Sequence, residues 1–212
     1  MSIAFQNDAE SWLRVARRLE AIAYTGLLYT ENGFDKERYE EIQKISLDVL
    51  ARGAGVTPGE ALDYFSERMG HPTPKTDVRS AVFDGDRILL VRGSDDGLWT
   101  LPGGWAEIGE TPAESAAREV LEESGFTVRP TKLIGLFDRD HQGHPARPFA
   151  CYMSFFMCEI LSGEPRPSIE TTEVAFFGEQ ELPPLSILRI TPAEIAVCFE
   201  HHRDPMRPTD FD

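Results

Sequence analysis

The chain has 212 residues, enough for one large domain or a medium domain with a small one, and its 41% hydrophobic and 27% charged content is ordinary for a globular protein. No apolar run approaches the ~18 residues that a membrane-spanning helix needs, and the N-terminus has no signal-peptide pattern, so we expect a cytoplasmic protein with no membrane partner. The formal net charge of −15 argues against nucleic acid as a partner, because binding its backbone requires basic surface.

Residues 1–70 have the pattern of three short helices. Apolar side chains recur at helical spacing in 8–29, Asp35 is the expected N-cap of a second helix, and Thr57 opens a third that ends near Met69. Three short helices offer little core, so we expect this small all-helical domain to pack on the rest of the chain or on a second copy of it. It serves either as a stabilising appendage or as an element for dimerisation or for covering a substrate.

After residue 76 the pattern changes to strands. Alternating runs on both sides of an Asp-Gly-Asp turn predict a β-hairpin, and the very apolar run 149–161 predicts a central strand. The remaining predicted elements are two strands and two capped helices: 131–139, 173–177, 112–124 and 192–202. This alternation predicts an α/β domain over 71–212, with a mixed sheet, helices on its faces and a mobile tail from Arg203.

The three cysteines lie in apolar sequence and form no Cys-x-x-Cys pair. An odd number without metal-ligand spacing predicts reduced core residues, which suits a reducing compartment. These residues are Cys151, Cys158 and Cys198.

One predicted helix carries an unusual concentration of acid on one side. Thr111-Pro112-Ala113-Glu114 is a capping box with proline at the first helical position, and Gly125 is suited to end the helix. On a wheel of about 100° per residue, Glu119, Glu122 and Glu123 fall within roughly one third of the circumference. Carboxylates placed so closely repel one another, so the helix either presents a solvated face or binds a cation.

A cation at this face would have oxygen ligands without His or Cys, which suits a hard divalent ion, Mg²⁺ or Mn²⁺. The preceding Leu101-Pro102-Gly103-Gly104 segment can bend sharply and bring its backbone close to such an ion, since glycine has no Cβ. A bound divalent ion reverses the local charge, and this would reconcile an acidic chain with an anionic substrate.

The same stretch resembles a known family pattern, the Nudix box. The residues that carry this resemblance are Gly104, Glu110 and the run Arg118-Glu119-Val120-Leu121-Glu122-Glu123-Ser124-Gly125-Phe126. The resemblance implies a Nudix hydrolase, with an α/β/α sandwich that cleaves a nucleoside diphosphate linked to another moiety. It also implies that Glu119, Glu122 and Glu123 bind Mg²⁺ or Mn²⁺ together with a carbonyl near Gly103.

The helical N-terminal region limits the resemblance to one subgroup of the Nudix hydrolases. A helical module before the Nudix domain is similar to a subgroup that hydrolyses nucleoside-diphosphate-linked compounds, including ADP-ribose and CDP-choline, and it implies a homodimer acting on a small nucleotide. Two alternatives stay open: a triphosphatase that removes oxidised nucleotides, and a non-catalytic nucleotide sensor. RNA 5′-end processing is disfavoured by the negative charge.

Catalysis also requires groups that position the box and accept a proton. The resemblance implies that Arg118 orients a glutamate. The box glutamates, including Glu122 and Glu123, and the downstream Glu170 or Glu173 are candidate proton acceptors, and Glu170 is preferred.

Substrate contacts are expected from four residues outside the metal ligands. Glu110 can turn toward the acidic face, and Arg79 can reach a phosphate or ribose, with a surface ion pair as its alternative. Trp99 either stacks on a base or packs in the core, and Arg139 ends a strand near the expected cleft. His141 and His144 are expected to be solvated loop residues, because an H-x-x-H pair without a third ligand is a weak metal signal.

Overall fold

The computed structural model describes residues 9–63 and 72–212, and its contacts divide the chain into two units. The first comprises Met1–Pro74 and Ala146–Ala150, and the second comprises Lys75–Pro145 and Cys151–Asp212. The boundary predicted between residues 70 and 71 lies outside the described residues and stays a prediction. No feature of the sequence predicts that 146–150 joins the first unit, where the Phe149 carbonyl accepts a hydrogen bond from Arg17 (3.2 Å).

The first unit contains three helices: α1 (Ala9–Tyr29), α2 (Gly33–Ala54) and α3 (Pro58–Asp63). Asn32 caps α2, because its side-chain oxygen accepts hydrogen bonds from two backbone amides of the first turn, the nearer at 2.9 Å. The prediction of Asp35 as the cap is therefore wrong, and Asp35 lies inside the first turn. Thr57 precedes α3 as predicted, bonded to Glu60, whereas the predicted continuation to Met69 lies outside the described residues.

Helices α1 and α2 pack directly against each other. Small residues permit the close approach, since a Cβ on Gly26 would lie 2.5 Å from the Tyr39 ring and one on Gly53 would lie 2.7 Å from Leu13. The buried apolar residues of this unit include Leu13, Ala16, Ala23, Leu47, Leu50, Ala51 and Ala61. Among the described residues, no helix is both long enough and apolar enough to cross a bilayer.

The second unit is built on one mixed sheet. Its strands are β1 (Lys75–Asp84), β2 (Arg87–Gly93), β3 (Trp99–Thr100), β4 (Phe126–Asp138), β5 (Cys151–Gly163), β6 (Thr171–Gly178) and β7 (Asp210–Phe211). They run in the order β3-β2-β1-β5-β4-β7, with β6 also paired to β2. The β1–β5 and β4–β7 pairs are parallel and the others are antiparallel. The predicted hairpin is β1–β2, and the predicted central strand is β5, which lies between β1 and β4.

Two helices cover opposite faces of this sheet: α4 (Pro112–Ser124) and α5 (Pro192–Arg203). Val82 of β1 belongs to the core cluster that contains Val120 of α4. The next residue, Phe83, contacts Phe199 of α5, with ring centroids 5.2 Å apart. Because successive side chains of a strand point to opposite faces, the helices lie on the two sides of β1. The domain is thus the α/β/α sandwich that the sequence predicts.

The C-terminal segment differs from its prediction. Residues 210 and 211 form β7 beside β4, and the Asp210 carboxylate bonds to the His201 ring (2.9 Å) and to Arg207 (3.0 Å). The prediction of a mobile tail from Arg203 is therefore wrong, because the segment returns to the sheet and forms partly buried polar contacts. The three cysteines are buried in this unit, as predicted, and form no disulfide within the described part of the chain.

Candidate active site

A glycine bend lies beside β1. The carbonyls of Pro102 and Gly104 accept hydrogen bonds from Ser80 (2.9 Å) and Val78 (2.8 Å) of β1, so the segment is held against the strand. A Cβ on Gly103, whose φ is +150°, would lie 2.0 Å from the Val78 carbonyl oxygen. Only glycine fits this position, and the carbonyl of Gly103 lies between two carbonyls that β1 already uses.

Helix α4 brings its glutamates to this bend. The Thr111 capping box and the left-handed Gly125 define its ends as predicted. Glu123 accepts a hydrogen bond from the Gly103 amide (2.9 Å). A Cβ on Gly104 would lie only 2.8 Å from the Glu119 carboxylate. The missing side chains of the two glycines therefore leave room for backbone and carboxylates to meet.

Arg118 links the carboxylates to one another. Its Nη1 donates to Glu119 (3.1 Å) and to Glu122 (2.8 Å), and its Nε donates to Glu110 (3.1 Å). Glu110 also accepts a hydrogen bond from Ser115 (2.8 Å). The structure thus places Glu110 as a support for Arg118, and Arg118 fixes two of the glutamates that carry the Nudix resemblance.

Burial shapes the electrostatics of the cluster. Burial raises the pKa of Glu123 to about 7, against the hydrogen bond from Gly103, which lowers it. Burial also raises the pKa of Glu119, although Arg118 opposes the effect. For Arg118 itself, burial lowers the pKa, but hydrogen bonds to Glu110 and Glu122 outweigh this and the net pKa is raised. Two carboxylates that are costly to ionise alone are suited to a nearby cation.

The donor set fits a hard divalent ion. Three carboxylates and the Gly103 carbonyl at the bend offer oxygen ligands only, as Mg²⁺ and Mn²⁺ prefer. Within the described ranges, no three side chains of His, Cys, Asp or Glu are already grouped as a full ligand set. Glu119 and Glu122 are both paired with Arg118 instead.

Glu170 lies beside two of the box glutamates. It lines a cavity of about 430 Å³ together with Glu122 and Glu123 and with other residues of the segment 166–170. The structure therefore places the preferred proton acceptor next to the acidic helix. The other candidate, Glu173, is paired with Arg92 instead (2.6 Å).

Arg79 is directed away from solvent. Its guanidinium donates to both carboxylate oxygens of Asp77 (2.7 and 2.9 Å), to Thr100 and to the Leu101 carbonyl. Burial lowers its pKa, but the charge and hydrogen bonds of Asp77, together with the charges of Glu123 and Glu194, outweigh this so that the net pKa is raised. These contacts favour the ion-pair alternative over substrate binding, although the pair lies in the core.

Trp99 and Arg139 are also buried. Trp99 packs edge-on against Phe177, with ring centroids 4.8 Å apart, which favours the core alternative. Arg139 follows β4 in a 3-10 turn and donates to the carbonyls of Pro145 (2.7 Å) and Leu188 (3.3 Å). The described contacts hold both side chains in the protein interior and do not bring them to the acidic cluster.

The two loop histidines differ from each other. His141 is exposed as predicted. The prediction of a solvated His144 is wrong, because its side chain is fully buried between the Ile187 carbonyl (2.7 Å) and the Glu194 carboxylate (3.0 Å). This contact links the loop to the first turn of α5, and no local pattern in the sequence indicates it.

Fold and site together define a hydrolase domain of the Nudix class, and the chain belongs to the Nudix family. The NUDIX domain matches residues 73–196, and the family described as a UDP-X-like, N-terminal oligomerisation domain matches residues 10–65. The protein is a Nudix hydrolase with an additional helical N-terminal region.

Relatives match along most of the chain. It is 42% identical to YjhB of Bacillus subtilis strain 168, provisionally named an ADP-ribose pyrophosphatase, over 95% of this chain and 97% of that one. A crystal structure of a UDP-X diphosphatase is 29% identical with a TM-score of 0.63, covering 96% of this chain and 99% of that one. An ADP-ribose pyrophosphatase from Streptococcus suis 89-1591 is 37% identical with a TM-score of 0.61, covering 66% of this chain and 100% of that one.

Proposed function

We propose that the protein hydrolyses the pyrophosphate linkage of a nucleoside diphosphate joined to another group, such as ADP-ribose or a UDP- or CDP-linked compound including CDP-choline. The products are a nucleoside monophosphate and the phosphorylated second group. The observation that carries this proposal is the likeness along both units, since a relative named for ADP-ribose and a structure named for UDP-X each match at least 95% of the chain.

We propose Glu119, Glu122, Glu123 and the Gly103 carbonyl as the residues that hold Mg²⁺ or Mn²⁺. Such an ion supplies neutralisation of the phosphate oxygens and a more acidic water. The support is the all-oxygen donor set, the room left at Gly104 and the burial of two of the carboxylates.

The remaining residues of the site position groups or move a proton. Arg118 holds Glu119 and Glu122 at fixed places on α4, and Glu110 in turn holds Arg118. Glu170 is the proposed acceptor of the proton from the attacking water, because it shares a cavity with Glu122 and Glu123.

The test is a substrate panel with product identification. With Mg²⁺, the native protein should convert ADP-ribose to AMP and ribose phosphate, or CDP-choline to CMP and phosphocholine, and EDTA should stop turnover. Glu122→Gln keeps the shape of the side chain and removes a ligand charge, so turnover should fall by about 100-fold or more. Equal activity of this variant would indicate a contaminating enzyme.

The alternatives give different products. A triphosphatase would release pyrophosphate from a nucleoside triphosphate, and a sensor would bind nucleotide without turnover. Absence of activity on every diphosphate derivative, with metal binding intact, would contradict the proposed substrate class.

We also propose that the protein is a homodimer through its N-terminal unit. The support is the match of residues 10–65 to a family described as an oligomerisation domain. Several large apolar side chains of α1 are also exposed: Trp12, Leu19, Ile22, Leu28 and Tyr29.

A further inference from the structure

The cavity beside α4 has one cationic side chain in its lining. Glu122 and Glu123 form one wall and residues 166–170 form the other, so the lining combines three acidic residues with Arg166. A cavity next to proposed metal ligands is where the diphosphate of a substrate would lie, and Arg166 is placed to meet it.

Other arginines of this unit are already bonded to protein acceptors. Arg118 is paired with Glu110 and Glu122, and Arg189 is paired with two aspartates. By contrast, the exposed guanidinium of Arg166 forms no hydrogen bond or ion pair with any described residue. Its donors are therefore available to a ligand.

The backbone of Arg166 is fixed against the last turn of α4. Its amide donates to the Ser124 carbonyl (2.8 Å), and its Cβ lies 2.9 Å from where a Cβ on Gly125 would be. At the other end of the segment, Thr171 Oγ1 donates to the Glu123 carbonyl (2.7 Å). The stem of the side chain thus starts from a defined place relative to the box glutamates.

Capping of the helix does not account for this arginine. Cations near a helix C-terminus commonly bond to the free carbonyls. Here the backbone amides of Gly125 and Arg166 bond to the Leu121 and Ser124 carbonyls, and Thr171 bonds to the Glu123 carbonyl. The Arg166 guanidinium takes no part in these bonds.

We propose that Arg166 is a substrate-binding residue that donates hydrogen bonds to the diphosphate in this cavity. Carboxylates alone cannot donate to phosphate oxygens, whereas a guanidinium offers two parallel donors with matching geometry and a positive charge. This inference rests on the proposed function and adds to it a phosphate-recognising group 40 residues beyond Phe126, the last residue of the Nudix box.

The kinetic test compares Arg166→Ala, Arg166→Lys and Arg87→Ala on the substrate that the native protein turns over best. We expect Arg166→Ala to raise KM about tenfold with kcat changed less than about threefold, because the contact is made in both ground state and transition state. Arg166→Lys keeps the charge without the planar donors, so its KM should lie between. Arg87 is paired with Asp84 at the hairpin turn, and its removal should leave KM unchanged.

A binding test separates this inference from the substrate assignment. Calorimetry with inorganic pyrophosphate and Mg²⁺ on the full chain should show about tenfold weaker binding for Arg166→Ala than for the native protein. This readout needs no turnover, so it can succeed even if ADP-ribose and CDP-choline are not substrates. The unfolding midpoint of each variant, which should stay near that of the native protein, checks folding.

Three results would overturn the inference. They are an unchanged KM in Arg166→Ala, a loss of kcat without a change in KM, and equal pyrophosphate binding by Arg166→Ala and the native protein, including no binding by either.

Discussion

The two adjacent glycines of the bend have different neighbours, and this separates their roles. At Gly104 a new Cβ would meet the carboxylate end of Glu119, 2.8 Å from Oε1, whereas at Gly103 it would meet the backbone of β1. The end of a glutamate side chain can move, but a strand carbonyl cannot. Gly104 therefore serves the position of a functional group, and Gly103 serves the fold.

Gly104→Ala should therefore lower activity with little effect on stability. Displacement of the Glu119 carboxylate by about 1 Å is expected to reduce turnover by tenfold to roughly 100-fold, with the free energy of unfolding changed by less than about 1 kcal/mol. Steady-state kinetics and urea unfolding measure the two effects. Gly178→Ala is the control, since its nearest neighbour would be Glu181 at an ordinary 3.6 Å. Native activity of Gly104→Ala would contradict the close approach of Glu119.

Gly103→Ala should instead destabilise the protein. The added Cβ would lie 2.0 Å from the Val78 carbonyl oxygen in a backbone conformation that side chains rarely adopt, so we expect a loss of about 3 kcal/mol or more. The loss is measured by urea unfolding, beside the same Gly178→Ala control. A variant as stable as the native protein would show that the bend can move away from β1.

The two interpretations of Arg79, a buried ion pair and a substrate contact, predict different effects of its removal on stability and on KM. Removal of one partner from the buried Arg79–Asp77 pair leaves an uncompensated charge, so Arg79→Ala should cost about 3–5 kcal/mol of stability. Arg87→Ala, at an exposed pair, should cost about 0.5 kcal/mol or less. Urea unfolding compares the two. A raised KM in a fully stable Arg79→Ala protein would support substrate binding instead.

At the scale of the elements, few hydrogen bonds join α4, which carries the glutamates, to the facing segment that contains Glu170. Thr171 is buried, donates to the Glu123 carbonyl and accepts from the Ser168 amide (3.0 Å). The Glu170 amide in turn bonds to Ser168 (3.1 Å). Thr171 thus makes one of two bonds from this segment to the end of α4, beside the bond from the Arg166 amide to the Ser124 carbonyl (2.8 Å). On the other side, the Glu170 carbonyl accepts a hydrogen bond from the Ser94 amide (2.9 Å).

Thr171→Val should loosen this segment. The substitution keeps the shape of the side chain but removes the bond to the Glu123 carbonyl and leaves the Ser168 amide only its bond to the Thr171 carbonyl (3.1 Å), which should cost about 1–3 kcal/mol. Hydrogen exchange should become faster at the amides of Ser168 and Glu170. Thr172→Val is the matched control on the same strand, since that exposed hydroxyl makes only one longer bond (3.3 Å). Unchanged exchange in Thr171→Val would mean that the segment is held by other contacts.

Local signals predicted the elements that have local causes. The start and end of α4 follow from a capping box and a glycine within the same 15 residues. The cap of α2 was misassigned because Asn32 and Asp35 are both capping residues, and only the observed geometry distinguishes them. The pairing of β7 with β4 joins residues 135 and 210, so no local pattern indicates it.

The site residues also divide into those that a local pattern predicts and those whose place depends on distant parts of the chain. Glu119, Glu122, Glu123 and the glycine bend are close in sequence, and their pattern alone placed them together. The burial of Arg79 and the position of Arg166 depend on strands and segments far away in the chain. Sequence reasoning missed Arg166 because an isolated arginine in a Gly/Pro-rich stretch has no distinguishing pattern.

At the scale of the whole molecule, the N-terminal unit exposes more apolar surface than is expected of a helical unit that does not associate. On α1, Trp12 and Ile22 are each 46% exposed and Tyr29 is 74% exposed. At about 100° per residue, Ile22 and Tyr29 lie roughly 20° apart and Trp12 roughly 80° from Ile22, so the three side chains fall within about 100° of the helix circumference. Burial of such a surface against a second copy would enlarge the small core that α1, α2 and the six-residue α3 form.

The native protein should therefore elute as a dimer, and a charge on this surface should shift it toward the monomer. We expect Ile22→Glu to weaken association at least about tenfold, since desolvation of a new carboxylate opposes apolar contact. Light scattering over a concentration series measures the mass. Lys36→Gln, at an exposed position of α2, makes the same change in net charge and should remain dimeric. A native protein that stays monomeric at every concentration, or an Ile22→Glu dimer of native affinity, would contradict this arrangement.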